Sequence, residues 1–150
     1  MKKTSDLTDS FGRWEFFVSD KFPELARKAM YMRDVNLVDD RLYLLCKLIL
    51  QPTRDYIGEP VTINSGFRGA DLNSALGGTE NSLHLRAKAA DFTIEDKEKL
   101  VLCYEFIKDE LDGRFCELFL YRDNLGNPIF IHVALADIFK KEPKTGYMEI

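Results

Sequence analysis

SGFRGADLNSALGGTENSLHLRAKAADFTI, residues 65–94, is the stretch that decides the fold. From Ser65 to Leu85 it holds Gly66, Gly69, Gly77 and Gly78 among several Asn and Ser residues, with room for only one short helical turn around Asp71 to Leu76. A loop this long inside a small chain usually carries function, because binding and catalytic groups are presented on loops that a rigid scaffold holds. The segment then changes character. Ala90, Phe92 and Ile94 alternate with Asp91 and Thr93, which is the period of a strand over 89–94 with one apolar side and one polar side.

Working outward, the residues on the N-terminal side read as helical. Ser19 to Met32 predicts a first helix, with Ser19 or Asp20 as a cap, Pro23 in the first turn, and Phe22, Leu25, Ala26 and Ala29 on its apolar side. A longer helix is expected after Asn36, through Leu37, Leu42, Leu45, Leu48 and Ile49, with Pro52 forcing a kink or restart before Tyr56 and Ile57. Gly58 and Pro60 end it, and VTIN, residues 61–64, is strand-like. On the C-terminal side, Asp96 can cap a helix carrying Leu100, Leu102, Cys103, Phe106, Ile107 and Leu111 as far as Gly113. Two strands follow, Phe115 to Tyr121 and Ile129 to Leu135, and the turn signal DNLGNP between them predicts an antiparallel hairpin. Cys116, Leu118 and Leu120 alternate with Glu117, Phe119 and Tyr121, while Ile131, Val133 and Leu135 alternate with Phe130, His132 and Ala134. The expected fold class is α+β: a small antiparallel sheet with helices on its aliphatic face, leaving Asp91, Glu117, Tyr121 and His132 on the other. Residues 1–150 read as one domain, with a core over about 15–136 and a peripheral tail over 137–150.

Composition narrows the function. A chain of 150 residues closes one core and has no room for two catalytic domains. Twenty-one Lys and Arg against 25 Asp and Glu give a net charge of -4, which argues against nucleic acid as a partner. The opening MKKTSDLTDSFGRW lacks the apolar run of a signal peptide, and Leu42 to Leu50 is interrupted by Lys47 and too short for a bilayer. The expectation is a protein made in the cytoplasm with no membrane partner. Cys46, Cys103 and Cys116 lack Cys-x-x-Cys spacing and lie in apolar contexts, as small buried hydrophobes do.

The chain has two histidines, His84 and His132. Alone, the first reads as a loop histidine and the second as a hydrogen-bonded strand histidine. Together with Asp91, on one side of a sheet beside the glycine-rich loop, they make a different set. Two neutral imidazoles and one carboxylate give zinc three bonds, reduce its charge by one and leave a fourth position for water.

Residues 65–94 resemble the signature of the zinc D-alanyl-D-alanine carboxypeptidase family, which includes phage endolysin peptidases and shares its fold with the hedgehog signalling domain. The resemblance rests on Ser-Gly-aromatic-Arg at 65–68, Ser-x-His at 82–84 with an Asp seven positions beyond the His, and aromatic-x-His-Val at 130–133. It extends more weakly to EFFVSDKF and FCELFLY. It implies zinc held by His84, Asp91 and His132, with Arg68 on a substrate carboxylate, a task that suits the planar guanidinium fork. It also implies Ser82 as a substrate contact, though a serine there can equally stabilise the loop. One element departs from the pattern. Relatives place a catalytic Glu three residues before the last ligand or at the end of the preceding strand, and this chain has Ile129 and Tyr121 there. Tyr121 can donate to an oxyanion but is a poor base, whereas Glu117, on the same face, is the carboxylate of that strand and the candidate proton acceptor. Two-residue steps of about 7 Å put it well down the sheet.

The implied function is zinc-dependent hydrolysis of peptidoglycan stem peptides, by a carboxypeptidase or a cross-link endopeptidase, reaching the wall by release if the chain is phage-derived. The departure motivates an alternative, a metal-binding module of the same fold without hydrolytic activity. A metal-free scaffold is a third reading.

Overall fold

The computed structural model describes residues 6–31, 35–137 and 144–150. The chain enters through a short antiparallel pair, β1 (Asp6–Thr8) and β2 (Phe11–Gly12), and a 3-10 turn over Arg13–Phe16 that buries Phe16. These pieces are too short to show a period in sequence. The first helix is shorter than its apolar pattern suggests: α1 covers Pro23–Lys28 and tightens into a 3-10 turn over Ala29–Tyr31. Ser19 still serves its start, with Oγ accepting from the Phe22 N–H at 3.2 Å. Met32, the expected end of this helix, lies outside the described residues.

The long helix adapts to Pro52 in an instructive way. α2 (Val35–Leu45) widens into one π turn over Cys46–Leu50 and resumes as α3 (Gln51–Ile57), which Gly58 ends at φ +72°. Proline brings no N–H to the Leu48 carbonyl and its ring crowds that carbonyl, so the widened turn lets the helix pass without breaking. The freed Leu48 oxygen accepts from Arg114 Nη1 at 3.0 Å. Leu42, Leu45, Cys46, Ile49 and Leu50 are fully buried, whereas Leu37, expected on the apolar side, is exposed.

Next come β3 (Thr62–Ser65), α4 (Ala70–Ala75), β4 (Ala89–Thr93) and α5 (Leu100–Glu110), then the hairpin β5 (Phe115–Arg122) and β6 (Pro128–Leu135). In α5, Leu100, Cys103, Tyr104 and Ile107 face the core while Leu102 is exposed. The hairpin turn is built by Asp123, whose Oδ1 accepts from the Leu125 and Asn127 N–H groups. The tail supplies a further strand, β7 (Lys144–Glu149). Lys140 and Pro143, earlier in the tail, lie outside the described residues.

The resulting five-stranded sheet has the order β3-β4-β6-β5-β7. It is antiparallel from β3 to β5, as the strand periods imply, but β7 runs parallel to β5 on the edge. Ile63, Ala90, Phe92, Leu118, Leu120, Ile131 and Val133 are buried on one face, against α2 and α5. The period fails at the start of β5. Phe115 pairs with Leu135 and Glu117 with Ala134, so the register shifts across Cys116. Phe115 therefore fills the core where the alternation had predicted Cys116. No helix among the described residues is long and apolar enough to cross a membrane.

Candidate metal centre

Cross-strand pairing fixes the site face. Asp91 on β4 is the register partner of His132 on β6, and His132 is in turn the partner of Phe119 on β5. Glu117 and Tyr121, two residues to either side of Phe119 and past the register shift, project from the same face. His84 comes from the loop. Residues Leu83–Arg86 form a 3-10 turn capped by Ser82, whose Oγ accepts from His84 N at 3.3 Å. Ala87, at φ 58°, then turns the chain sharply into β4.

The loop also sets the His84 ring. Gly66 O accepts from Nδ1 at 2.8 Å, which leaves Nε2 as the lone-pair nitrogen, and His84 is 4% exposed. A glycine is required at 66 because a Cβ there would lie 2.6 Å from the Phe16 carbonyl oxygen. Sequence reading did not single out Gly66; the Ser-Gly-aromatic-Arg motif was the available signal.

The three predicted donors come together. His84 Nε2 is 3.4 Å from Asp91 Oδ1, and His132 Nδ1 is 2.8 Å from the same oxygen. One donor atom from each residue lies within 4.8 Å of the others. Tetrahedral zinc with bonds of about 2.0–2.1 Å needs donors about 3.3 Å apart, so the set is near binding spacing. Its chemistry, two imidazoles and one carboxylate with a lone pair fixed at Nε2 of His84, suits zinc.

Electrostatics reinforce the grouping. Burial pushes the Asp91 carboxyl upward, but the hydrogen bond from His132 and the nearness of His84 overcome it and hold Asp91 well below the usual carboxylate range. Burial likewise opposes the charged form of His132, and hydrogen bonds to Asp91 and Glu117 outweigh it, raising this group to about 9. Glu117 reaches His132 in spite of its position down the strand: Oε1 is 3.0 Å from Nε2. Its carboxyl is lowered, mainly by that bond, against the opposing effect of burial. Phe119 stacks against His132 with ring centroids 6.0 Å apart.

A cleft of about 480 Å³ opens beside Asp91, lined among others by Ser65, Arg68, Thr93, Lys97, Ile129 and Phe130. Arg68 is tied to the loop by its backbone N–H to His84 O at 3.0 Å and by Nε to Ser65 Oγ at 3.3 Å. Nη1 donates to Asn73 Oδ1 at 3.5 Å. These side-chain partners are neutral. Burial lowers the guanidinium's pKa and Asp91 works against that. Asn73 is itself locked, since Nδ2 donates to Thr79 O at 3.0 Å and a Cβ on Gly78 would lie 2.2 Å from its Oδ1. Tyr121 stacks on Phe130 at 4.4 Å, with its phenol pushed up by burial and by Asp91 and Glu117. Ile129, where the family resemblance implies a glutamate, lines the cleft.

The family model described as Peptidase M15 matches residues 24–108, more than half of the chain. The match contains Arg68, Ser82, His84 and Asp91. No curated protein matches the chain.

Proposed function

Because the chain belongs to the M15 peptidase family of zinc D-Ala-D-Ala carboxypeptidases, we propose that it hydrolyses peptide bonds in peptidoglycan stem peptides, either at a terminal D-Ala or within a cross-link. The observation that carries this reading is the His84, Asp91 and His132 donor set opening beside a cleft that contains an arginine without an acidic hydrogen-bond partner among those above. When bound, zinc supplies Lewis-acid polarisation of the scissile carbonyl and lowers the pKa of water to about 7.

The remaining work belongs to side chains of the protein. Arg68 holds a substrate carboxylate through its guanidinium fork, set in place by Ser65 and Asn73. Lys97 lines the same cleft as a second cation, with Nζ donating to Ile94 O at 2.7 Å. Tyr121 stays protonated at neutral pH because its environment raises it, so Oη is suited to donate to a developing oxyanion. Ser82 keeps the His84 turn closed, and any contact it makes with substrate is additional to that bond. Glu117 could accept a proton only through Oε2, since Oε1 is engaged by His132.

A second reading has its own observation. The two positions where relatives carry a catalytic carboxylate are Ile129 and Tyr121, so a zinc-binding module that recognises wall peptides without cutting them fits the same donor set. One experiment separates the two. Purified protein is loaded with zinc, its bound metal is quantified, and it is incubated with peptidoglycan and with synthetic stem peptides while released D-Ala and fragments are measured. Zinc at one equivalent with cleavage supports the peptidase. Zinc with no cleavage of any substrate selects the module. A protein that binds no zinc, or whose metal content is unchanged by His84→Ala and His132→Ala, overturns both.

A further inference from the structure

Resting on the zinc reading above, we infer that Glu117 is a positioning residue for the metal centre: by accepting a hydrogen bond from His132 Nε2, it commits that imidazole to offer Nδ1 to the ion. An imidazole has two nitrogens and only one can be the donor. Here the choice is visible in the surroundings of the ring. Nδ1 faces Asp91 Oδ1 at 2.8 Å, and that oxygen is the one His84 Nε2 approaches at 3.4 Å, so Nδ1 belongs to the donor triangle. Nε2 points across the sheet to β5, where Glu117 Oε1 meets it at 3.0 Å. A ligating histidine whose outer N–H is held by a carboxylate has its ring orientation and tautomer set and is a stronger donor.

The two histidines are thus oriented by different means. A backbone carbonyl, Gly66 O, holds Nδ1 of His84 and frees Nε2, whereas a side-chain carboxylate holds Nε2 of His132 and frees Nδ1. The strand is shaped for the second task. Phe115 is buried and Glu117 is on the site face, although two residues of a regular strand share one face. The register shift across Cys116 reconciles them. The Phe119 ring beside His132 restricts the imidazole further. Glu117 thereby acts on the chemistry through His132, and the proton of Nε2 stays on the Glu117 side of the ring.

The test uses the full chain, with Zn²⁺ as the probe and affinity read by competition with a chromophoric chelator. Glu117→Ala should weaken zinc binding about 10- to 100-fold. Glu117→Gln, whose amide oxygen still accepts from Nε2–H, should recover most of that loss. In the zinc-loaded wild type, ¹⁵N NMR of His132 should show a protonated Nε2 and a metal-bound Nδ1. The inference is overturned if Glu117→Ala binds zinc as tightly as wild type, or if the NMR assigns Nε2 as the metal-bound nitrogen. It is overturned equally if Glu117→Gln binds zinc no more tightly than Glu117→Ala. If Glu117→Ala does not fold, the wild-type spectrum and the glutamine variant decide. Wild type that binds no zinc refutes the metal centre itself, a result distinct from all of these.

Discussion

Replacing Gly66 by alanine tests the contact that sets His84. A methyl carbon at this position lies 2.6 Å from the Phe16 carbonyl oxygen and 2.7 Å from Phe16 Cα. Both are backbone atoms, so a rotamer change gives no relief and one of the two segments must move. They are joined by the Phe67 N–H donating to Phe16 O at 2.9 Å, a bond that separation stretches. Overpacking of this kind costs about 1–3 kcal/mol, and the weakened hydrogen bond about 1 kcal/mol more. An unfolding entropy of about 2.1 cal/mol/K per residue gives about 0.3 kcal/mol/K for 150 residues, so Tm should fall by about 6–13 °C. The same movement carries Gly66 O away from His84 Nδ1, now 2.8 Å distant, and zinc affinity should drop about 10-fold or more. Gly77→Ala is the control: its φ is +74° with nothing within 4 Å of the added carbon, so it carries backbone strain of about 1–2 kcal/mol and should leave zinc affinity unchanged. Melting followed by circular dichroism and zinc titration against a chelator measure both quantities. A Gly66→Ala protein with wild-type Tm and wild-type affinity refutes the reasoning. Equal loss of affinity in the two variants reduces the effect to general destabilisation.

Other outcomes follow from the same geometry. Zinc at about 100 times its Kd should stabilise the protein by about 2.7 kcal/mol, raising Tm until EDTA reverses it; His84→Ala should show no such shift, and a metal-independent Tm in wild type contradicts the site. Arg68→Ala removes a charge-assisted contact of about 1.5–3 kcal/mol, so KM on stem peptides should rise about 10- to 100-fold at constant zinc content; a change confined to kcat would reassign the residue. Tyr121→Phe should lower kcat about 10²- to 10³-fold if Oη donates to the oxyanion, with metal affinity intact, and unaltered turnover would remove it from the mechanism. Burial pushes the Cys46 thiol up strongly and Cys103 up to about 12, while Cys116 is only partly buried, so a thiol reagent should label one cysteine in native protein and three after unfolding. Rapid labelling of all three would show that the core opens readily.

The donor trio was legible in sequence because strand alternation put Asp91 and His132 on the polar sides of their strands, two histidines in 150 residues leave few combinations, and the family resemblance joined His84 to them. Pairing order was not: period 2 says which way a side chain points and nothing about its neighbour, so the 2.8 Å approach of His132 to Asp91 had to come from the β4–β6 register. The partner of His84 was hidden for a different reason. It is a carbonyl oxygen, Gly66 O, which every residue type carries and no residue code reveals. Pro52 announced a disturbance in the long helix without indicating its form, because a break, a kink and a π turn all answer a missing N–H. β7 is short and largely exposed, so it shows no apolar alternation, and its pairing with β5 is made by the backbone. Distance along β5 misjudged Glu117, whose reach to His132 depends on the length of its side chain and on the shift beside it.

The irregular residue Cys116 behaves as a phase adjuster. On its N-terminal side the strand is timed to the hydrophobic interior through Phe115, and on its C-terminal side to the histidine through Glu117. Excising it would merge the two segments into one uninterrupted pleat, in which the phenyl ring and the carboxylate compete for the same orientation. The protein could then keep its interior anchor or its imidazole clamp, and would forfeit the other.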